Sequence, residues 1–497
     1  MQHAFLRLIS ALALTWVCSS PAPSVAQTPA DDAANTAWQA GMILHMQRMR
    51  AFHDVNTGTQ STPPVIGQNT TDADPSGTIS TYQPGGSTPT SNSFFQDLGT
   101  NGRTCFTCHQ PQTGWTVSAQ SVQDRFNSSS GADPIFRLVD GATCPTDDVS
   151  TPDKQLQAYS LLLSKGLIRI GLPIPANAEF QISVVNDPYN CNTNPATGLT
   201  SSTSGIVSIY RRPLPSTNLD FLSAIMWDGR EPNLSSQAVD ATLGHAQANA
   251  APSASQQQKI VNFESGIFTA QSFDNGAQAL DANGATGGPV DLQGQLASFF
   301  IGINDPLGKN PTGAPFDPNI FDLYQAWSSL PPNTAVNIDR ASVARGETVF
   351  NTTKINITGV GGLNDALQTK SISGFCGTCH DTPNVGNHSV KAPLNIGIAD
   401  KNPPALDVSD LPLFKLSCAG QSPVVVTDLG RALISGKCAD VGKFKGPILR
   451  GLAARAPYFH NGSAATLMDV VNFYNQRFKI GFTDQQKQDL VNFLNTL

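Results

Sequence analysis

Charged side chains are scarce in this sequence: Asp, Glu, Lys and Arg make up 13% of the 497 residues, and the formal net charge is −7. A chain without an excess of positive charge is poorly suited to binding nucleic acid. Histidine is also rare, with eight in the chain and none in residues 110–244. Gly and Pro are abundant instead, with 42 and 35 residues, which favours a loop-rich exported protein of modest helix content.

Long apolar runs are absent except near the N-terminus. Residues 1–26 predict a cleavable secretory signal peptide: Arg7 precedes an apolar core at 8–17, and a small-x-small cleavage site ends at Ala26. The core is too short to span a bilayer as a permanent anchor, so we predict a periplasmic protein with no membrane span. Cys18 could belong to a lipoprotein signal, but the residue before it is bulkier than such a site normally accepts.

The pattern Cys-x-x-Cys-His occurs twice, at 105–109 and at 376–380. It is the attachment signature of a c-type haem, in which two thiols add to the haem vinyl groups and the histidine binds the iron. One copy could be chance, a zinc half-site or a redox dithiol, whereas two copies in an exported chain predict two covalently bound haem c groups. The predicted haem-binding residues are Cys105, Cys108, His109, Cys376, Cys379 and His380.

Four of the nine cysteines remain once Cys18 and the four haem cysteines are set aside. An even remainder in an oxidising compartment predicts two disulfides rather than four free thiols. Proximity along the chain favours pairing Cys144 with Cys191 and Cys418 with Cys438.

Three groups of motifs together resemble the bacterial dihaem cytochrome c peroxidase superfamily, which includes the methylamine-utilisation enzyme MauG. They are the two Cys-x-x-Cys-His motifs, Met226 to Arg230 followed by Gln237-Ala238, and Lys445 to Gly451 running on to Ala456 to Ser463 and Thr466-Leu467. The resemblance extends from about residue 94 to residue 480. It implies a mainly α fold with two cytochrome c-like haem domains, long loops and a small irregular or β insertion.

We expect the chain to divide into four parts. These are the signal peptide 1–26, an N-terminal helix and extended arm 27–92, an N-terminal haem domain 93–335 with an insertion at 140–205, and a C-terminal cytochrome c domain 336–497. Residue patterns predict helices near 35–54, 234–248, 254–263, 465–475 and 484–496, strand and loop from 167 to 185, and a long loop or arm at 56–92.

The resemblance assigns roles around the two haems. The first would bind peroxide and the second would relay electrons, with Trp227 on the route between them; the plain alternative is a core tryptophan with a satisfied N–H. The family places a glutamine and, ten residues later, a glutamate on the distal side, and here these positions hold Gln237 and Gln247. Glutamine cannot shuttle a proton, which predicts slow turnover. His245 could supply the acid–base group, cap the iron, or be an ordinary packed or surface residue.

The distal iron ligands are less defined by the sequence. The first haem lacks the usual distal histidine; His45 or His53 could reach it, or both could be solvated. For the second haem, Tyr474 stands where relatives place a methionine or tyrosine ligand, and Met468 competes with it. A tyrosinate ligand would favour ferric and higher-valent iron over ferrous iron.

Calcium is a further cofactor that the resemblance raises. Relatives often hold this ion between the haems, next to an asparagine that follows an arginine. Here the matching pair is two arginines, 211–212, and a guanidinium could replace the charge of the ion, so we expect calcium to be weak or absent. His460 is expected to be structural and His388 to be exposed.

Three functions follow from these expectations. The leading one is reduction of hydrogen peroxide by a periplasmic dihaem oxidoreductase, with electrons from a small redox protein such as a cytochrome c or a cupredoxin. The second is MauG-like oxidation of an organic or protein substrate by peroxide or O2, favoured by the missing distal carboxylate and by Tyr474. The third is a non-catalytic dihaem electron carrier. The sequence leaves open the substrate, the donor, the redox potentials and whether the chain forms a homodimer.

Overall fold

The structure is a computed structural model that describes residues 65–202 and 205–497. Outside these residues lie the predicted signal peptide, the predicted helix near 35–54, Cys18, His45 and His53. No helix in the described part is long and apolar enough to cross a membrane.

Short and medium helices are spread along the described residues. They are α1 (Ala119–Ser129), α2 (Pro152–Ala158), α3 (Ser160–Lys165), α4 (Leu234–Gly244), α5 (Ala254–Ser265), α6 (Pro289–Gly294), α7 (Ala335–Thr352), α8 (Ala432–Ser435), α9 (Leu467–Arg477) and α10 (Asp484–Asn495). Side-chain caps fix several starts: Thr466 and Thr483 form capping boxes with Asp469 and Gln486. The helices expected after Trp227 and at the C-terminus are confirmed as α4, α5, α9 and α10.

The strands form small separate sheets. They are β1 (Val65–Ile66), β2 (Asn69–Asp74), β3 (Gly77–Tyr82), β4 (Thr88–Pro89), β5 (Ile168–Pro173), β6 (Phe180–Asn186), β7 (Ile206–Arg211), β8 (Phe268–Asp274), β9 (Gln278–Ala279), β10 (Ile355–Thr358), β11 (Ser371–Gly374), β12 (Leu413–Cys418) and β13 (Val424–Val426). The orders are β2-β3-β8-β9 and β13-β12-β6, with the pairs β1-β4, β5-β7 and β10-β11.

The long loop expected at 56–92 is wrong for most of its described part, because β2 and β3 form an antiparallel hairpin. The Asp74 carboxylate accepts the N–H groups of Ser76 and Gly77, which closes the turn. The hairpin has a polar composition because one face is exposed, while Ile79 on the other face is buried. The other edge of β3 pairs with the distant strand β8, a partner that the local sequence does not indicate.

The expectation of a mainly α fold is not confirmed, since 29% of the described residues are helical, 3-10 turns included, and 17% are strand. Two of the strands lie in the segment at 140–205, where β5 and β6 confirm the strand and loop expected from 167 to 185. β6 pairs with β12, matching Val184 with Phe414, and β5 pairs with β7. The segment therefore joins a sheet that includes residues from well after the second Cys-x-x-Cys-His motif.

Both expected disulfides are present. Cys144 is bonded to Cys191 and Cys418 to Cys438. The first lies within the 140–205 segment, and the second joins the end of β12 to the residues after α8. The four motif cysteines take no part in these disulfides.

The largest apolar core lies where α7, α9 and α10 meet. Phe350 of α7 and Phe493 of α10 both pack against Phe321, with ring centroids 5.2 and 5.3 Å from it. Close approach of α7 and α10 depends on Gly346, because a Cβ there would lie 2.0 Å from the carbonyl oxygen of Asp489. This core supports one side of the second motif, since the His380 ring lies 6.3 Å from that of Phe350.

Candidate haem sites

The two Cys-x-x-Cys-His motifs adopt the same local structure. Each opens with a short 3-10 turn, at Cys105–Thr107 and at Cys376–Thr378. The hydroxyl of the threonine inside each motif accepts the N–H of the residue before the first cysteine, at 3.0 Å in the first copy and 2.9 Å in the second. The turn brings both thiols and the histidine to one cavity in each copy, as covalent attachment of a haem requires.

Each motif histidine is oriented by a carbonyl six residues later. The Nδ1 atom of His109 lies 2.8 Å from the carbonyl oxygen of Trp115, and that of His380 lies 2.6 Å from the carbonyl oxygen of Gly386. Both carbonyls belong to residues with positive φ, 58° and 74°. With Nδ1–H donating to the backbone, Nε2 keeps its lone pair for a metal. Burial lowers the pKa of both histidines to about 4, so both rings are neutral at pH 7.

The cavity at the first motif contains about 1330 Å³ of empty space, part of it open to solvent. Trp227, Gln237 and His245 line it together with Cys105, Cys108 and His109. Gln247 does not: its side chain is exposed, and its amide oxygen accepts a hydrogen bond from Asn101 at 3.2 Å. The reason is that α4 ends at Gly244 and the backbone turns left-handed at Gln247, with φ 53°. The structure thus brings Gln237 and His245 together at the cavity without Gln247.

A carboxylate that sequence reasoning missed stands behind His245. Asp140 Oδ2 lies 2.5 Å from His245 Nδ1, and Asp140 Oδ1 lies 2.5 Å from the Arg103 guanidinium. Burial opposes ionisation of Asp140, but the hydrogen bond from His245 and the charge of Arg103 outweigh it and hold the pKa of Asp140 below its usual value. His245 and Asp140 are 105 residues apart in sequence, so no local pattern joins them.

Glu264 is a second missed residue of the first cavity. It lies at the end of α5 and is 4% exposed, and its Oε2 atom has no hydrogen-bond partner in the part of the chain that the structure describes. Burial raises the pKa of Glu264 to about 8, so the neutral acid predominates at pH 7. The sequence did carry a signal, because Glu264 shares the apolar face of α5 with Ile260 and Phe263 at helical spacing.

The cavity at the second motif contains about 1710 Å³ of empty space, again partly open to solvent. Tyr474 of α9 lines it together with Cys376, Cys379 and His380, whereas Met468 does not. Burial, together with the nearby thiols of Cys379 and Cys376, raises the pKa of the Tyr474 phenol.

Trp227 lines both cavities. Its indole N–H donates to the carbonyl oxygen of Arg212 at 2.8 Å, and its own carbonyl accepts the N–H of Lys445 at 2.9 Å. Its ring lies 6.2 Å from that of His460. The satisfied N–H is what an ordinary core tryptophan would also show, but contact with both cavities is a property that the core alternative does not require.

Arg211 occupies a buried position between two carboxylates. Its guanidinium contacts Asp228 at 2.5 Å and Asp428 at 2.7 Å, and Asp228 also contacts Arg230. A cation of the chain itself therefore balances these buried acids.

Two other histidines, His460 and His388, are buried. His460 is buried and stacks on Phe444 with centroids 3.9 Å apart. The expectation that His388 is exposed is wrong: it is 2% exposed, because its loop folds inward and its Nδ1 atom lies 3.1 Å from Asp381.

Comparisons with known proteins agree with the motifs. A family model described as RoxA-like, cytochrome c-like matches residues 443–480. The cytochrome-c peroxidase IdrP2 of Denitromonas iodatirespirans is 37% identical over 144 residues, which cover 27% of this chain and 38% of that protein. IdrP1 of the same organism, also a cytochrome-c peroxidase, is 42% identical over 69 residues, which cover 12% and 18%. Over these segments the chain is similar to cytochrome-c peroxidases, which supports the resemblance to the dihaem cytochrome c peroxidase/MauG superfamily.

The relationship has a limited extent. The matches span 38% or less of the length of these two curated relatives. A solved structure, that of a MauG-like protein associated with microbial copper homeostasis, aligns with a TM-score of 0.33 at 17% identity, covering 60% of this chain and 75% of that one.

Haem c, the cofactor of this superfamily, fits the charges between the cavities. Arg212 lines both cavities, and Lys445 and Arg455 line the second. Burial lowers the pKa of Arg212 to about 9, of Lys445 to about 7 and of Arg455 to about 10. Within the described residues none of the three forms an ion pair with a carboxylate, and Arg212 Nη1 has no hydrogen-bond partner. Buried unpaired cations are costly, and the propionates of a bound haem would supply the missing anions.

Proposed function

We propose that this protein is a periplasmic dihaem c-type oxidoreductase that reduces hydrogen peroxide with electrons from a small redox protein. The observation that carries the proposal is that Trp227 lines both cavities, each of which holds a complete Cys-x-x-Cys-His motif. One haem per cavity would let each iron contribute one of the two electrons that convert one peroxide and two protons to two waters. The weakly acidic chain, with a formal charge of −7, suits a neutral or basic donor such as a cytochrome c or cupredoxin.

Each residue of the first cavity has a chemical task in this proposal. A bound haem supplies a redox-active iron, and His109 would hold that iron on the proximal side. Gln237 can donate and accept hydrogen bonds and would orient peroxide without moving a proton. His245 would take the proton from one peroxide oxygen and return it to the other. Asp140 would act as a positioning residue, because its contact with Nδ1 keeps Nε2 of His245 as the basic nitrogen.

Two measurements on the purified holoprotein test the proposal. EPR of the ferric protein should give one high-spin and one low-spin signal, for one open and one capped iron. Mixing with peroxide and a reduced small cytochrome c should then give steady donor oxidation, and the matched protein with Cys108→Ala should not. Two low-spin signals with no cyanide or CO binding would instead identify an electron carrier.

A second candidate function is MauG-like oxidation of an organic or protein substrate by peroxide or O2. The observation that favours it is the pair of side chains on α9: Tyr474 lines the second cavity and Met468 does not. An anionic oxygen ligand there would stabilise oxidised iron. Peroxide that bleaches or alters the haem spectra without sustained oxidation of the small cytochrome would support this candidate over the first.

A further inference from the structure

We propose that Asp305, Asp381 and His388 form a binding site for a divalent transition-metal cation, Zn²⁺ or Mn²⁺, separate from the two haem cavities. One ligand atom from each residue lies within 4.8 Å of the others. The three residues are 2%, 0% and 2% exposed, and none of them lines either haem cavity. Three protein ligands within this distance can converge on one ion.

The hydrogen bonds around the cluster leave two donor atoms unused. Asp381 accepts the Ser389 N–H at 2.6 Å through one oxygen and contacts His388 Nδ1 through the other. Asp305 Oδ2 accepts the Lys309 N–H at 2.7 Å. Asp305 Oδ1 and His388 Nε2 are buried and have no hydrogen-bond partner among the described residues. An unpaired buried carboxylate oxygen costs free energy unless something binds it, and a metal ion held between His388 Nδ1 and Asp381 would accept the lone pair of Asp305 Oδ1.

The local charge points to a cation. Two carboxylates are buried together, and in the described residues no Lys or Arg forms an ion pair with either of them. Burying ionised groups without compensation is strongly unfavourable. A divalent ion would balance both negative charges and leave the imidazole neutral, whereas a protonated His388 would balance only one.

The ligand types select the class of metal. One imidazole with two carboxylates is a common donor set for Zn²⁺ and for other divalent first-row metals. Ca²⁺ and Mg²⁺ prefer an all-oxygen set of six or more ligands, which these three residues do not offer. Nearby, the hydroxyl of Thr382 and the amide oxygen of Asn387 are also buried without a partner.

The position of the site indicates what the ion would stabilise. Asp381 follows the motif histidine His380 directly, and its carbonyl accepts a hydrogen bond from Asn304 at 3.1 Å. The N–H of Gly302 donates to the carbonyl of Ser389 at 3.0 Å. The ion would therefore fasten the loop around 302–309 to the loop around 381–389, next to the proximal side of the second motif.

Elemental analysis of the haem-loaded protein tests the site directly. After dialysis against EDTA, the protein is supplied with Zn²⁺, Mn²⁺ or Ca²⁺ alone and the free metal is removed. We expect about one equivalent of Zn²⁺ or Mn²⁺ per chain in addition to the haem iron, and a higher Tm than that of the EDTA-treated protein. Substoichiometric metal with no change in Tm, or a stoichiometric response to Ca²⁺ only, would overturn the proposal.

Matched variants separate the site from general effects of buried acids. Asp305→Asn and His388→Gln should lose the bound equivalent and the metal-dependent rise in Tm while keeping both haems. Glu347→Gln is the control, because Glu347 of α7 is also a buried carboxyl but lies outside the cluster, so this variant should retain the metal. Equal metal retention by all three variants would contradict the assignment, whatever the outcome of the peroxidase tests.

Discussion

His245 Nδ1 and Asp140 Oδ2 lie 2.5 Å apart at the edge of the first cavity, and Arg103 holds Asp140 from the other side. The pair gives the cavity a basic nitrogen with a fixed tautomer. Gln247, the residue at the family's glutamate position, does not line this cavity. The acid–base group of this site would therefore be a histidine positioned by an aspartate.

Removal of His245 should slow peroxide reduction strongly. General acid–base groups contribute roughly 10²–10⁴-fold, so His245→Ala should lower the rate of peroxide consumption by a factor in that range. Asp140→Asn should have a smaller effect on kcat and should shift the pH profile, because it removes the charge that supports the imidazole. The measurement is single-turnover stopped-flow spectroscopy across pH 5 to 9.

The control for this prediction is Gln247→Ala. Its side chain is exposed and bonded only to Asn101 among the contacts seen, so the rate should stay near that of the wild type. A large loss of rate in Gln247→Ala with none in His245→Ala would show that Gln247, and not His245, acts on the peroxide.

Electron sharing between the haems should depend on Trp227. Trp227→Phe keeps an aromatic ring but loses the N–H bond to the Arg212 carbonyl. We expect slower equilibration between the irons, with both haem absorption spectra near normal, as measured by flash reduction of the holoprotein. Trp327→Phe is a matched control, since Trp327 is buried in the α7–α10 core and lines neither cavity. Equal rates in wild type and Trp227→Phe would make Trp227 a packing residue.

Local features were predictable from sequence because short spacing determines them. The haem-binding turns, the late helices and both disulfides join residues that are close along the chain or that carry a distinctive motif. The hairpin of β2 and β3 was missed because its stabilising partner, β8, lies nearly 200 residues away. The same reason hid Asp140 behind His245 and Asp428 beside Arg211, since ion pairs across the fold leave no periodic pattern. Glu264 was missed for another reason: the predicted helix ended at 263, whereas the observed helix runs to Ser265 and buries Glu264 with Ile260 and Phe263.

Glu264 should make stability depend on pH. Burial raises its pKa from 4.5 to about 8 in the folded protein, so the folded state keeps a proton that the unfolded state releases. The stability that protonated Glu264 contributes is therefore fully present below about pH 4.5 and falls as the pH rises toward 8. Above about pH 8 it changes no further. At about 1.4 kcal/mol per pKa unit, the loss is at most about 5 kcal/mol.

The test is unfolding by denaturant at several pH values. Glu264→Gln should flatten the decline of the free energy of unfolding between pH 4.5 and 8, because the amide cannot ionise. Glu179→Gln, at an exposed glutamate, should leave the slope unchanged. A wild-type curve with no decline in this window would show that Glu264 is ionised and paired in the holoprotein.

Tyr474 should be the distal ligand of the second iron. It lines the cavity of His380, while Met468, six residues earlier on α9, does not. Burial favours the neutral phenol, so ionisation of Tyr474 would require the positive charge of a bound metal. The wild-type ferric spectrum should therefore lack the near-infrared band of a methionine sulfur ligand.

Tyr474→Phe removes the oxygen donor and keeps the ring, so it should raise the potential of that haem and change its low-spin EPR signal. Met468→Leu is the matched control and should change neither. A methionine band in the wild type that disappears in Met468→Leu would assign the ligand to Met468, and the second haem would then be tuned toward ferrous iron, as an electron relay for peroxide reduction requires.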